Sequence, residues 1–291
     1  MSEKKNREID AFTGVETTGH EWDGIKELNK PLPRWWIWTF YACIVWSIGY
    51  WVVYPAWPTP DGYTKGLWNY SQRAVVTAEG EAARAAQGAL RKQIEATPLG
   101  DIRKNQDLLR FAMAAGNAAF QTNCSACHGR GGQGFTGYPN LNDDDWLWGG
   151  SVEEIQKTIL YGVRSEHKDT RSSAMPRYGL DKILTDSNID DVSEYVLSLS
   201  KRSTDPKAVE SGAKIFGEQC ASCHGADGKG IVEQGSANLT DGIWLYGSSK
   251  TAIMESIRNG RGGQMPYWTG RIDPMTIKAL AVYVHSLGGG K

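Results

Sequence analysis

The chain has 291 residues, which is enough for about two domains and some additional segments. Its 32 basic and 33 acidic residues give a formal net charge of -1. This balance excludes the strongly basic surface of most nucleic-acid-binding proteins, so no nucleic-acid partner is expected. Four of the five cysteines lie in two short motifs, so no disulfide framework is predicted.

A long apolar run near the N-terminus predicts one transmembrane helix. Residues 35–57 contain no Asp, Glu, Lys, Arg or His, and as a helix these 23 residues would be about 35 Å long. That length spans a hydrocarbon core of about 30 Å. Trp35 and Trp38 lie near one end and Tyr54 and Trp57 near the other, as in the aromatic belts at membrane interfaces.

Two other interpretations of this run, a signal peptide and a buried core helix, are disfavoured. The run is too long for a signal peptide, 34 residues precede it, and no Ala-x-Ala-like cleavage site follows. A core helix would not carry tryptophan at both ends. Lys26, Lys30 and Arg34 before the run, against Lys65 and Arg73 after it, weakly favour a cytoplasmic N-terminal segment, residues 1–34. Within that segment the first 21 residues are polar and predict no stable structure.

The next segment, residues 58–109, is predicted to be a connector on the far side of the membrane. Residues 78–95 are rich in Ala, Glu, Arg and Gln, so they predict a helix. Its apolar face is thin, which favours a solvated spacer helix over a docking helix.

Two copies of Cys-x-x-Cys-His, at residues 124–128 and 220–224, predict two covalently bound haem c groups. In this motif the two thiols form thioether bonds to one haem, and the histidine is an axial ligand of the iron. The predicted cofactor-binding residues are Cys124, Cys127, Cys220 and Cys223, and the predicted axial ligands are His128 and His224.

A structural zinc site and a thioredoxin-like redox pair are the alternatives for these cysteines. Two Cys-x-x-Cys knuckles could bind one zinc ion, and a single Cys-x-x-Cys could act as a dithiol. Neither alternative explains a histidine directly after both pairs.

The two motifs lie in repeated surroundings, which predicts two tandem all-α cytochrome c domains, residues 110–201 and 205–291. Gly116 precedes the first motif as Gly212 precedes the second, at an offset of 96 residues, and further matches follow at an offset of 98. Each repeat ends in a helix with an apolar stripe. In a small cytochrome c the first helix passes close to the last, and glycine lets the backbones approach. We therefore expect Tyr195 and Tyr283 of the closing helices at these crossings.

Two Met-Pro pairs supply candidates for the second axial ligands. Met175 lies 47 residues after His128, and Met265 lies 41 residues after His224. A thioether is a soft, neutral ligand that raises the potential of haem iron. We expect Met175 to serve the first domain and Met265 the second. His167, in an inserted loop, is the alternative in the first domain, although a surface histidine is the simpler interpretation.

Haem propionates are held by donors from Arg, Trp or Tyr side chains. The candidate donors are Arg164, Trp146, Tyr178, Arg261, Trp244 and Trp268.

Charge differs between the two domains. Residues 110–200 carry a net charge of -4 and residues 205–291 a net charge of +1. Asp143, Asp144 and Asp145 concentrate the negative charge. One hypothesis is that the first domain receives a basic cytochrome donor by electrostatic steering. A solvated acidic loop without such a role explains the composition equally well.

The segment before the span carries a family resemblance. Residues 22–27 read Trp-Asp-Gly-Ile-Lys-Glu, and residues 31–36 read Pro-Leu-Pro-Arg-Trp-Trp and lead into the apolar run. With one span and two haem motifs, this arrangement resembles the dihaem subunit of cbb3-type cytochrome c oxidases, subunit III, called CcoP or FixP. The resemblance covers nearly the whole chain from residue 22 onward.

The resemblance implies an electron-transfer subunit of the bacterial inner membrane, with its haem domains in the periplasm. Electrons from a cytochrome c donor would pass through this chain to a monohaem cytochrome subunit and to a catalytic haem-copper subunit. That subunit reduces oxygen and pumps protons. The chain has no histidine cluster in a membrane span, so it is not expected to be an enzyme on its own.

Two alternatives come from other classes of protein. A membrane-tethered dihaem shuttle could serve several partners without belonging to an oxidase. A haem sensor or peroxidase would have one labile methionine ligand and would bind carbon monoxide.

Overall fold

The computed structural model describes residues 7–288 and divides the chain into two compact units, Met1–Arg84 and Ala85–Lys291. The predicted all-α class is confirmed, with two short β-hairpins in the first unit. In the first unit the elements are β1 (Thr17–Trp22), β2 (Ile25–Leu28), α1 (Arg34–Val53), β3 (Pro58–Thr59), β4 (Gly62–Tyr63) and α2 (Gln72–Ala86), whose last two residues lie beyond its boundary. In the second unit they are α3 (Gly88–Ala96), α4 (Leu99–Ile102), α5 (Gln106–Asn123), α6 (Ser125–His128), α7 (Val152–Tyr161), α8 (Asp186–Leu199), α9 (Pro206–Gln219), α10 (Ala221–His224), α11 (Lys250–Asn259) and α12 (Pro274–Leu287).

An antiparallel hairpin precedes the apolar helix. β1 pairs with β2 around a tight turn in which Asp23 and Gly24 both have positive φ angles, 49° and 83°. Two consecutive residues of positive φ are typical of two-residue turns that join the strands of a β-hairpin. The prediction of no stable structure in the first 21 residues is therefore wrong for residues 17–21, which belong to β1, while residues 1–6 lie outside the described residues.

Helix α1 is the one helix among residues 7–288 that is long and apolar enough to cross a membrane. Its 20 residues reach about 30 Å. It ends four residues before the predicted limit of residue 57. Tyr54 has an extended conformation, because a residue before proline is disfavoured in the helical region and Pro55 follows.

The chain folds back onto the C-terminal end of α1. The Leu67 N–H donates to the Val52 carbonyl at 3.0 Å, and the Trp68 N–H donates to the Val53 carbonyl at 3.2 Å. The last carbonyls of a helix have no partner within the helix, so these bonds satisfy two of them. The Tyr54 ring stands edge-on to the Trp68 ring at 5.0 Å. Residues 67–68 are thus fixed at the level of the last turn of α1.

The predicted connector helix consists of two helices, α2 and α3, and the second is not a solvated spacer. Ile94 on α3 and Ile102 on α4 are fully buried. The Lys278 ammonium of α12 donates to the carbonyls of Glu95 and Thr97 at the end of α3, at 2.7 and 2.8 Å. A cation at a helix C-terminus is favourable both to the dipole and to the free carbonyls. The prediction of a spacer is wrong for this part of the connector.

The two repeats exchange their closing helices. Helix α5 of the first repeat packs on α12 of the second, and α9 of the second packs on α8 of the first. A Cβ added to Gly116 would lie 2.6 Å from the Cβ of Tyr283, and one added to Gly212 would lie 3.0 Å from the Cβ of Tyr195. The glycine crossings exist as predicted. The expectation that each repeat closes on its own last helix is wrong.

A short connection explains the exchange. Only residues 200–205 join α8 to α9, so α8 turns back directly onto the helix that follows it. Glu194 on α8 is buried, and its carboxylate accepts hydrogen bonds from the Ser203 hydroxyl and from the Thr204 N–H at 3.2 Å. Lys250 pairs with the same carboxylate at 3.0 Å.

We call α5, α6, α7 and α12 the first lobe, and α8, α9, α10 and α11 the second lobe. Each lobe has its own core, in which Phe120 and Phe216 respectively are almost fully buried.

Candidate functional site

The two Cys-x-x-Cys-His motifs form equivalent one-turn helices, α6 and α10. Cys124 and Cys220 end the preceding long helices, and their carbonyls accept the N–H of Cys127 and Cys223 at 3.1 Å in both motifs. Residues three apart lie on the same face of such a turn. Each pair of thiols is therefore presented to one side, as attachment to a single haem requires.

Both motif histidines are oriented by a backbone carbonyl. Nδ1 of His128 donates to the Pro139 carbonyl at 3.0 Å, and Nδ1 of His224 donates to the Ala237 carbonyl at 2.9 Å. This bond fixes the tautomer and leaves Nε2 as the ligand nitrogen. Burial lowers the pKa of both imidazoles, so the neutral form that binds iron is favoured.

The first thiol of each motif is held in an apolar setting. Burial raises the pKa of Cys124 and of Cys220 to about 11, with a smaller contribution from the neighbouring thiol of the same motif. A thiolate is disfavoured there, whereas an uncharged thioether would not be.

A cavity of about 590 Å³, within the usual range for small-molecule and cofactor sites, lies between the second lobe and the loop of residues 133–147 that follows the first motif. Cys220, Cys223 and His224 line it, together with Met175 from the first repeat. The Met175 N–H donates to the Arg261 carbonyl at 2.9 Å, which fixes the methionine loop on the second lobe.

Met265 occupies the matching place in the first lobe. It packs against the first core, as Cys124 does. Its N–H donates to the Val163 carbonyl at 2.9 Å and its carbonyl accepts the Val163 N–H at 3.0 Å. The expected pairing, Met175 with the first motif and Met265 with the second, is therefore wrong. The methionine loops lead directly into α8 and α12, so they are exchanged with those helices.

His167 is held away from the cavity that contains Met175. Its ring packs on Tyr161 at 4.8 Å and on Tyr267 at 5.5 Å between centroids, and its Nδ1 accepts the Asp169 N–H at 3.1 Å. It is not among the residues that line the cavity. His167 is therefore a packed side chain of the first lobe, beside Tyr161 of α7 and beside Tyr267, which lies two residues after Met265, and it does not share the cavity of Met175.

The geometry also bears on the zinc alternative. Among residues 7–288 there is no group of three or more His, Cys, Asp or Glu side chains that could hold a metal ion. The two motifs belong to different lobes, so their four thiols do not converge on one ion.

Comparison with known proteins agrees with this architecture. Three family models match: the N-terminal domain of cytochrome oxidase-cbb3, FixP, at residues 14–61; cytochrome c at residues 113–200; and cytochrome c oxidase, cbb3-type, subunit III, at residues 207–284. A cbb3-type cytochrome c oxidase subunit FixP from Bradyrhizobium sp. (strain ORS 278) is 55% identical over 98% of both chains. The chain belongs to the FixP/CcoP family of cbb3-type cytochrome c oxidase subunits.

Other members of the family are almost as similar. A subunit CcoP from Azospirillum brasilense is 52% identical over 98% of this chain and 99% of its own length. A subunit CcoP from Cereibacter sphaeroides is 49% identical over 94% of this chain and 95% of its own length. The resemblance seen in the pre-span segment is confirmed, and the cytochrome c domains of this family imply haem c as the cofactor.

In this FixP/CcoP chain the candidate propionate donors divide between the two lobes. Arg164, Tyr178, Trp244 and Arg261 line the cavity of the second lobe. Trp146 and Trp268 pack on the core of the first lobe. The Tyr178 hydroxyl donates to the Gln219 carbonyl at 2.6 Å, so its own donor is already used.

Two buried donors without a partner indicate room for an anionic group in the first lobe. Trp146 Nε1 and Arg171 Nε are the two such side-chain atoms among the described residues. Buried N–H groups normally have an acceptor, so both atoms suit an unfilled carboxylate site such as a haem propionate would occupy. Arg171 was not among the donors predicted from the sequence. A signal was present, since Arg171 lies four residues before Met175, as Arg261 lies four residues before Met265.

The acidic run is partly enclosed in this family member. Asp143 and Asp145 line the cavity wall, and Asp144 is exposed. Burial, and then the charges of Asp241 and Asp143, raise the pKa of Asp145 to about 6. Two of the three carboxylates thus face the interior, which leaves less exposed negative charge for steering a donor than the sequence suggested.

Proposed function

We propose that this chain is the membrane-anchored electron-transfer subunit of a cbb3-type oxidase and carries two covalently bound haem c groups. The observation that carries the proposal is the repeated site: each lobe combines a Cys-x-x-Cys-His turn, a histidine oriented through Nδ1, and a methionine from the other repeat. Each haem would supply one-electron chemistry between its ferric and ferrous states.

The roles of the side chains follow from their positions. Cys124 and Cys127 would anchor one haem, with His128 and Met265 as its axial ligands. Cys220, Cys223, His224 and Met175 would do the same in the second lobe. The Pro139 and Ala237 carbonyls hold the imidazoles in place, and the methionines favour the reduced iron. One histidine and one methionine would hold each haem iron, and the bound haems would supply one-electron transfer.

The family assigns the chain to a larger complex, and the finer partners are part of the proposal. Electrons would enter from a cytochrome c donor and leave to a monohaem cytochrome subunit and the catalytic haem-copper subunit. Helix α1 would anchor the chain in the bilayer of the bacterial inner membrane, with residues 1–34 in the cytoplasm and both haem lobes in the periplasm. Covalent haem attachment outside the cytoplasm supports that orientation, as does the weak excess of Lys and Arg before the helix.

A purification in mild detergent tests this proposal. Co-purified b-type haem, copper and cyanide-sensitive oxygen uptake are expected alongside the c-type spectrum of this chain. A c-type spectrum alone, without oxygen uptake in any of several detergents, would favour the free tethered shuttle. Carbon monoxide binding to the isolated ferrous chain would instead favour the sensor or peroxidase.

A further inference from the structure

Each lobe places an arginine over an equivalent aromatic ring. The Arg261 guanidinium lies 4.1 Å from the centroid of the Tyr246 ring, and that of Arg171 lies 5.2 Å from the Trp148 ring. Tyr246 and Trp148 are counterparts in the repeat, at the offset of 98 residues. Arg261 and Arg171 are not counterparts in the repeat, because the residue 98 positions before Arg261 is Val163.

The inserted loop of the first repeat supplies an arginine, Arg171, at the place that Arg261 occupies in the second lobe. Met175 is paired through its backbone with Arg261, and Met265 is paired in the same way with Val163, so Val163 and Arg261 are equivalent in the fold. Arg171 lies near the end of the inserted loop of residues 165–173 and forms a β-bridge with Val163. Its side chain extends over the Trp148 ring. Each lobe thus has a guanidinium group over the equivalent aromatic ring, although the two arginines occupy different positions in the repeat.

In the second lobe the arginine over the aromatic ring, Arg261, lies at the wall of the cavity proposed to bind haem. Arg261 and Trp244 both line the cavity that contains His224 and Met175. Trp244 Nε1 donates to the Asp241 carbonyl at 3.2 Å, and Arg261 Nε donates to the Ser256 hydroxyl at 2.9 Å.

In the first lobe the corresponding donors have no acceptor. The Arg171 side chain is 10% exposed; its Nη2 donates to the Glu154 carboxylate, while its Nε is buried without a partner. Nε1 of Trp146, the counterpart of Trp244, is also buried without a partner. Two unsatisfied N–H groups, one of them on a cation, are the donors that a carboxylate would satisfy.

We propose that Arg171 and Trp146 form the carboxylate-binding site of the first lobe, and that each donates its unpartnered N–H to a haem propionate. This inference rests on the proposed function, since it takes a haem to be bound at Cys124 and Cys127. Arg171 then acts as a positioning residue, and its charge helps to set the potential of the first-lobe haem.

Redox titration of the full-length chain, with both haems resolved, tests the proposal. Arg171→Gln is expected to lower the midpoint potential of one haem, because a propionate whose charge is no longer compensated favours the ferric state. The affected haem should be the one whose potential falls in Met265→Leu. Arg171→Lys should keep part of the wild-type potential, since it retains the charge without the planar donor group.

Matched variants separate a local effect from a general one. Arg261→Gln should shift the other haem, the one affected by Met175→Leu. Arg177→Gln, which removes an exposed arginine paired with Asp181 at 2.8 Å, should shift neither. If Arg171→Gln leaves both potentials unchanged, or shifts only the second-lobe haem, the proposal is wrong.

If Arg171→Gln loses the first haem altogether, its potential cannot be measured, and a milder variant tests the proposal instead. Trp146→Phe removes one N–H and keeps the ring, so it is expected to lower the same potential by a smaller amount. Unchanged potentials in both Trp146→Phe and Arg171→Lys would overturn the proposal in that case. A wild-type chain that carries no covalent haem would contradict the proposed function instead.

Discussion

The two methionines proposed as axial ligands show how much one residue's position depends on the backbone around it. Met265 exchanges two backbone hydrogen bonds with Val163, which follows α7, and the Met175 N–H donates one to the carbonyl of Arg261, which follows α11. These bonds set the methionine loops on the lobe opposite to their own repeat. The Met-Pro pairs predict the candidate ligands, but not the exchanged pairing, because each pair follows its own motif at a similar distance, 47 residues for Met175 and 41 for Met265, which favours pairing within a repeat.

Single-haem variants test the exchanged pairing. In a chain with Cys220→Ser and Cys223→Ser, only the first motif can bind haem covalently. Met265→Leu is then expected to lower the potential of that haem by a sizeable part of the ~0.8 V range that axial ligands span. Met175→Leu should leave it nearly unchanged. The opposite result, measured by redox titration, would restore the pairing within each repeat.

Asp145 is expected to reduce stability at neutral pH. Burial and neighbouring carboxylates raise its pKa to about 6 in the folded state, above its ordinary value of 3.8. As pH rises from about 4 to about 6 the unfolded chain releases this proton first, so the free energy of unfolding falls and stays lower above that window.

Asp145→Asn should therefore raise the free energy of unfolding at pH 7.5 by on the order of 1 kcal/mol, after allowance for solvent screening. The gain should nearly vanish at about pH 3, where the wild-type carboxyl is largely protonated in both states. Denaturant unfolding at the two pH values measures it. Asp144→Asn, at the exposed neighbour, is the control, and an equal gain there would point to net charge rather than burial.

At the scale of elements, the helices that form the lobes follow from the sequence, and their partners do not. The stripes that include Ile189, Val192, Ile277 and Leu280 are buried as predicted. Both stripes fit the glycine face of α5 or of α9 equally well, because the repeat makes the two faces alike. The short α8–α9 connection decides between them. Arg171 was not predicted as a propionate donor for a related reason: it does not lie at the repeat offset of 98 residues from Arg261.

The close crossing of α5 and α12 predicts a strong effect at Gly116. Its Cβ in Gly116→Ala would lie 2.6 Å from the Tyr283 Cβ and would also meet the Ala279 carbonyl, so the helices must move apart. We expect a loss of about 2–3 kcal/mol, typical of overpacking in a core. Gly80→Ala on α2 is the control, since nothing lies within 4 Å of the added methyl group. Thermal unfolding of both variants measures the difference, and equal stability would mean that the crossing is looser than described.

At the scale of the whole molecule, the exchange joins the two lobes into one compact unit, Ala85–Lys291. The family models divide this unit into segments 113–200 and 207–284, which are units of sequence repetition. Neither segment contains a complete lobe, since α5 and α12, and likewise α8 and α9, come from different segments.

A truncated chain tests this dependence. A chain that ends after residue 201 lacks α12 and Met265, so its first motif is expected to bind haem without methionine ligation and without cooperative unfolding. Supplying residues 202–291 as a separate chain should restore both properties. A truncated chain with a normal Met-ligated spectrum and a sharp unfolding transition would show that the first repeat closes on itself.

The exchanged helices also impose an order on biogenesis. In the orientation proposed above, the elements after α1 would be exported in chain order, with α5 and the first motif early and α12 last. The second lobe can close as soon as α11 follows α8, α9 and α10. The first lobe must wait for the end of the chain. The cysteines that are made first are thus the last to be enclosed, and the enzymes that attach haem have the longest access to them.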